Sequence, residues 1–276
     1  MNIREVIMQR KSVRTYQEEI VSKELRQKLE NYIRDVDTPF DTKKIRFEII
    51  DINNNKKDMK LGTYGVIKGA KTFICAVIEK GNGYEENLGY AFEKIILYAT
   101  SLGLGTCWLG GTFKRADFGK TVGLQANEFI PVITPIGYPK ANRSLLDTLM
   151  VMAAGSKNRK DWIELFFADD FDKPLKKEEV KKFEEALEMV RIAPSASNKQ
   201  PWRIVKYKNT FHFFLCRNKG YGKALGFDIQ RLDMGIAMCH FETMINELGY
   251  LGKWDACNPG ITLPERYEYI VSFTIA

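Results

Sequence analysis

Three short stretches carry residue types that could hold a small polar ligand. The densest is APSASNKQPW, where Pro194, Ser195, Ala196, Ser197, Asn198 and Gln200 gather small donors and acceptors just before Pro201 and Trp202. Each proline fixes its own φ and biases the residue before it towards extended backbone, so this stretch is a connection. In the second, RKSVR, the side chains of Arg10, Lys11, Ser12 and Arg14 follow one another closely. Guanidinium forks bind phosphate oxygens in pairs and a hydroxyl adds one more bond, so the set suits a phosphate monoester. The third is GLGTCWLGG, Gly103 to Gly111, whose Leu109, Gly110 and Gly111 would let backbone amides approach a flat ligand. Each stretch also has a plainer explanation: a polar turn, a basic helix C-terminus opposing the macrodipole, and a helix cap followed by a strand. The GxG follows a helix rather than opening one, so it is no dinucleotide fingerprint.

Other chemistries find little support. The two histidines, His212 in an aromatic strand-like run and His240 in an apolar helix, lack neighbours at metal-ligand spacing, so no metal site is expected. No Ser, His, Asp arrangement suggests hydrolysis. Five scattered cysteines without CxxC spacing are expected to be reduced thiols. The net charge of +7 is spread among acids along the helices, which argues against a nucleic-acid groove and leaves room for a small anion. The start of the chain is already charged and no apolar run approaches a membrane span, so a cytoplasmic protein without a membrane partner is expected.

The elements that would position these stretches follow from periodicity. Helices are expected over Ser22 to Arg34, through a buried run from Leu88 to Leu102 stopped by Gly103, and as one amphipathic segment from Glu178 to Ile192. Strands are expected at Ile45 to Ile52, Lys71 to Glu79, Ile130 to Gly137 and Arg203 to Tyr207. Laid on the first half, the second half repeats Gly89 as Gly235, Ala91 as Ala237, Gly103 as Gly249 and Trp108 as Trp254, always 146 residues on. Two copies of one unit, 1–150 and 151–276, would pack as an intertwined pseudo-twofold pair. Arg10, Ser12, Arg14 and the Gly110–Gly111 turn lie in the first copy, and the Ser and Asn set in the second, so one complete site would need both.

Taken together, RKSVR, APSASNKQPW, GLGTCWLGG and PIGYP at Pro135 to Pro139 resemble the FMN-dependent nitroreductase family, in particular its fused, internally duplicated subset. The resemblance implies an α+β nitroreductase-like fold built as an intrachain pseudo-dimer, a monomer or a chain that dimerises further. It implies FMN as cofactor, NAD(P)H as reductant, and a nitroaromatic, quinone or similar small-molecule acceptor, with hydride passing through flavin N5. It implies that Arg10, Lys11, Ser12 and Arg14 hold the phosphate and ribityl end, that Lys157 and Arg159 lie near the same phosphate, and that Leu109, Gly110 and Gly111 pass the ring. Pro194, Ser195, Ala196, Ser197, Asn198 and Gln200 would line the other edge. Such chemistry needs no catalytic acid or nucleophile from the chain. The alternative expectation is a flavin-binding or sensing protein without efficient turnover.

Overall fold

A computed structural model describes residues 2–40, 45–52, 62–79, 84–141, 158–257 and 259–276. Lys157, 59–61 and 142–152 lie outside the described residues.

The first part of the chain runs α1 (Ile3–Gln9), α2 (Lys23–Asp35), β1 (Ile45–Asp51), β2 (Thr72–Glu79), α3 (Glu85–Ser101), β3 (Gly105–Thr106), α4 (Arg115–Thr121), β4 (Glu128–Phe129) and β5 (Ile133–Gly137). The second runs α5 (Trp162–Leu165), β6 (Phe166–Ala168), α6 (Lys177–Val180), α7 (Glu184–Ile192), β7 (Trp202–Tyr207), β8 (Thr210–Cys216), α8 (Ile229–Glu247), β9 (Gly252–Asp255) and β10 (Tyr267–Ile275). The fold is therefore a mixture of helices and sheets, as expected. One five-stranded sheet is ordered β1-β2-β5-β3, with β4 also beside β2, and the other β6-β7-β8-β10-β9. Among the described residues, these strands pair antiparallel except β6 with β7. The unbroken apolar run of β2 is buried from Thr72 to Ile78, as a central strand requires.

Local chemistry explains the helix limits. The Ser22 side chain accepts from Leu25 N and starts α2, while Gly103, at φ +79, terminates α3 as a left-handed cap. The amphipathic segment expected from Glu178 to Ile192 is not one helix. It breaks at Lys181, whose φ is 47, and a 3₁₀ turn over Lys181–Phe183 joins α6 to α7. A β-strand at Phe166–Ala168 was not anticipated, because three residues are too few to show a period.

At the centre, α3 and α8 cross where Gly89 meets Gly235. A Cβ on Gly89 would stand 2.1 Å from Leu232 O, and one on Gly235 2.0 Å from Glu86 O. Backbone rather than flexible side chain blocks both positions, so only glycine permits this approach. Polar bridges fix the register around the crossing: Arg231 Nε to Glu86 Oε1 at 2.5 Å, Tyr90 OH to Glu242 Oε2 at 2.6 Å, and His240 Nε2 with Glu93 Oε1 at 2.9 Å. Gly235→Ala is expected to destabilise the chain by about 3 kcal/mol, the upper end for overpacking, despite alanine's better helix propensity. Urea unfolding of the variant measures this, and an unchanged midpoint contradicts the close crossing.

Candidate functional site

The three stretches singled out above are joined into one circuit. Arg10 caps α1, and its Nε approaches the buried Glu93 Oε1 at 3.8 Å. From there the chain lies along the sheet: Ser12 bridges Thr106, and Val13 N donates to Thr106 O at 2.8 Å. That contact sets RKSVR three residues from Leu109, which pairs with Ile133. A Cβ on Gly105 would strike the Val13 side chain at 2.9 Å, so the strand needs a glycine here for the basic stretch to dock.

The glycine turn is clamped from one side by Arg115, whose guanidinium donates to Gly110 O at 2.6 Å and to Ile130 O at 3.0 Å, over the rings of Phe113 and Phe129. Burial lowers the pKa of this arginine. From the other side comes the loop before α8. Phe227 Cζ is 3.7 Å from the Cβ position of Gly110, and Leu225 Cδ2 is 3.1 Å from that of Gly111. The same loop reaches the APSASNKQPW stretch, where Tyr221 OH donates to Ser197 Oγ at 2.8 Å.

The loop Ala193 to Pro201 contains a 3₁₀ turn at Ala196–Asn198, and Ser197, Asn198 and Gln200 all have positive φ, 47, 54 and 48. Non-glycine residues adopt this backbone at a cost of about 1–2 kcal/mol each. The loop persists because it is pinned at many points. Gln200 N donates to Ser195 Oγ at 2.9 Å, and Ala196 N donates to the two Asp233 oxygens at 3.0 and 3.2 Å. The Gln200 side chain is buried and spent on backbone: its Oε1 accepts from Lys160 N, and its Nε2 donates to Asn158 O and Asn198 O. Gln200 therefore shapes the loop instead of presenting an amide to a ligand.

Arg159 closes the circuit. It donates to Asn198 Oδ1 at 2.6 Å and to Ile192 O at 2.8 Å, both neutral acceptors. Burial, with Arg10 and then Arg191 nearby, lowers its pKa to about 10. Arg191 has its own carboxylate in Glu188, and Arg10 has Glu93, but no ion pair to Arg159 is found among the described residues. Arg10 Nη1 is in addition buried without a hydrogen-bond partner. A partly buried guanidinium with neutral partners and two cationic neighbours is a site that favours an anion.

Sequence reasoning missed several residues that build this arrangement. Asp233 lies in the middle of a helical run, and only its distance of 146 from Asn87, which holds Phe40 N and O, hinted at a shared role. Arg115, Tyr221 and the Glu93–His240 pair act across large sequence separations. His240 Nδ1 faces Met189 O at 3.0 Å, and Nε2 faces Glu93 Oε1 at 2.9 Å. Trp108 Nε1 donates to the other Glu93 oxygen at 2.7 Å, which leaves this pair a structural brace. No group of three or more possible metal ligands occurs among the described residues, and no helix there is long and apolar enough to cross a membrane.

Comparison with known proteins adds to this geometry. Residues 2–245 match the family described as "Putative TM nitroreductase". The chain belongs to that family. The crystal structure of a Thermotoga maritima protein described in similar words aligns over 99% of this chain and 94% of its own, with a TM-score of 0.63 at 21% identity. This likeness extends the shared fold through both sheets. A nitroreductase with bound FMN from Desulfitobacterium hafniense covers 52% of this chain and 92% of its own, at 19% identity and a TM-score of 0.44. An FMN-dependent nitroreductase from Clostridium difficile covers 50% and 88%, at 20% identity and a TM-score of 0.42. No curated protein sequence matches the chain.

The fully buried Asp233 carboxyl has its pKa raised well above the ordinary value, by desolvation against the opposing Ala196 N–H. Its native form holds a proton that the unfolded chain releases above about pH 4, so its contribution to stability falls as pH rises through that range. Asp233→Asn keeps an acceptor for Ala196 N and removes this dependence. The variant is expected to match the parent near pH 3 and to be the more stable at pH 7. Equal pH profiles in urea unfolding contradict the assignment.

Proposed function

We propose that the chain is an FMN-dependent oxidoreductase that takes electrons from NAD(P)H and passes them to a nitroaromatic, quinone or similar small acceptor. The observation that carries this reading is the anion-seeking cluster of Arg10 and Arg159, set beside the Ser12 bridge to Thr106. These donors suit a phosphate monoester: two guanidinium forks and a hydroxyl. Membership of a nitroreductase family supports the same cofactor. When bound, FMN supplies a carrier that accepts hydride at N5 and returns it to an acceptor.

The chain's own residues would then position and shield. Arg10, Lys11, Ser12 and Arg159 hold the phosphate, and Arg14 follows on the ribityl side, where its charge favours the reduced, anionic cofactor. Leu109, Gly110 and Gly111 give the ring a backbone wall, and Arg115 keeps that wall in place through Gly110 O. Pro194, Ser195, Ala196, Ser197 and Asn198 form the facing edge, held rigid by Asp233 and Tyr221. None of these groups acts as a nucleophile, so acceptor choice rests on pocket shape. We read 1–150 and 151–276 as two tandem nitroreductase-like units paired about the Gly89–Gly235 crossing, with one complete site drawn from both. The matched braces Asn87–Phe40 and Asp233–Ala196 support that reading.

Arg159→Ala is expected to weaken FMN binding by about 1.5–3 kcal/mol, the worth of a charged hydrogen bond, in a fluorescence titration. Urea unfolding of the flavin-free variant reads separately the loss of its bonds to Asn198 and Ile192, about 1 kcal/mol each. Unaltered FMN affinity overturns the phosphate assignment. A second measurement addresses turnover. Bound flavin should bleach under anaerobic NADH or NADPH and regain its colour on addition of a nitroaromatic or quinone. Yellow protein that neither reductant bleaches favours a binding or sensing role, and colourless protein that takes up no FMN removes the cofactor.

A further inference from the structure

The loop before α8, residues 217–228, borders an open cavity of about 550 Å³ that none of the three sequence stretches lines. Its walls combine two features. The rings of Tyr221 and Phe227 give flat apolar surface, and the rim carries Lys219, Lys223 and Arg266. These three cations are exposed, and none makes an ion pair among the described residues, whereas the neighbouring Arg217 is held by Asp228 at 2.7 Å and Glu268 at 2.6 Å. The cavity thus has its structural arginine neutralised and its rim cations left available.

The loop is preformed. Gln230, buried beneath it, accepts from Asn218 N at 2.8 Å and donates to Asn218 O and Tyr221 O at 3.2 and 3.3 Å. Gly220, Gly222 and Gly226 all have positive φ, which turns the backbone tightly without side chains in the way. A Cβ on Gly222 would strike Ile229 Cγ2 at 2.6 Å, so this turn is packed down on the helix. An open concavity of this volume is of the size that a small ligand occupies.

We propose that this cavity binds a nucleoside monophosphate group, its base against Tyr221 and Phe227 and its phosphate on Lys219, Lys223 and Arg266. Aromatic faces accept any base by stacking, and clustered cations supply the anion partner. Phe227 Cζ stands 3.7 Å from the Cβ position of Gly110 and Tyr221 donates to Ser197, so the cavity adjoins the candidate flavin site. That neighbourhood assigns the bound group to the adenylate end of the dinucleotide reductant. This second assignment, unlike nucleotide binding itself, rests on the function proposed above.

Calorimetric titration of the full chain with 5′-AMP and with adenosine tests the binding. AMP is expected to bind at least tenfold more tightly than adenosine at low salt. Combined Lys219→Ala and Lys223→Ala substitutions, both on exposed positions, should remove that difference while FMN affinity stays unchanged. Phe227→Leu should weaken AMP and adenosine alike. Absence of AMP binding, equal affinity for adenosine, or indifference to the double substitution overturns the site. Stopped-flow reduction of bound flavin then identifies the source: AMP should compete with NADH or NADPH, and lysine-dependent AMP binding without competition overturns the link to the reductant. A chain that binds AMP but takes up no FMN refutes the oxidoreductase reading and leaves the nucleotide cavity standing.

Discussion

Everything in the molecule depends on how closely α3 and α8 approach. Ordinary helix pairs are held apart by their side chains at 8–10 Å between axes. Here a glycine on each helix removes that spacer, and each would-be Cβ lies where the partner's carbonyl oxygen stands. The consequence is positional. Residues one or two turns along either helix come within bonding distance of the other, so Glu86 meets Arg231, Tyr90 meets Glu242 and Glu93 meets His240. Buried polar bridges add little net stability against desolvation, but each is satisfied only at one register. The crossing and its bridges together fix where one sheet sits relative to the other.

That fixed geometry allows the loop from Ala193 to Pro201 to hold an unfavourable backbone. Three left-handed non-glycine residues would relax if the loop were tied only to its own sequence neighbours. Instead it is anchored on Asp233 of the central helix, on Arg159 and Asn158 from the segment before α5, and on Tyr221 from the loop opposite. Each hydrogen bond contributes about 1 kcal/mol net, which is comparable with the strain per residue. Rigid placement of small polar groups follows from this balance, and rigid placement is what selective binding of a flat ligand needs.

The sequence made the regular elements legible because their signals are local. Leu88, Phe92, Ile95 and Ala99 recur at helical spacing and are buried on one long helix, and Gly103 ends it with the conformation that glycine allows. The partnership of Gly89 with Gly235 was visible as a constant offset before it was visible as a contact. What stayed hidden was every interaction set by tertiary approach. Glu93 and His240 stand 147 residues apart and carry no spacing signal. Arg159 looked like one basic residue among several, and its uncompensated state emerges only once Arg10 and Arg191 are folded against it. The interruption at Lys181 was missed because the apolar period of the segment continues across it. Gln200, similar in type to its polar neighbours, turned inward because Lys160 N and Asn158 O needed partners.

Two braces on the central helices, 146 residues apart, serve different ends. Asn87 grips Phe40 both ways, accepting from its N–H at 3.2 Å and donating to its carbonyl at 2.8 Å. An amide satisfies both backbone groups at that point and closes the loop on itself. At the position 146 residues later, Asp233 takes the Ala196 N–H between its two oxygens. The carboxyl group grips the loop through that one N–H, where Asn87 holds both backbone groups of its partner. The helix thus secures the Ala193–Pro201 loop while leaving acceptor groups of that loop for other partners, and it tolerates a buried acid, with its raised pKa, to do so. An asparagine that closed the turn in both directions would hold the loop as firmly and leave it less to offer a ligand.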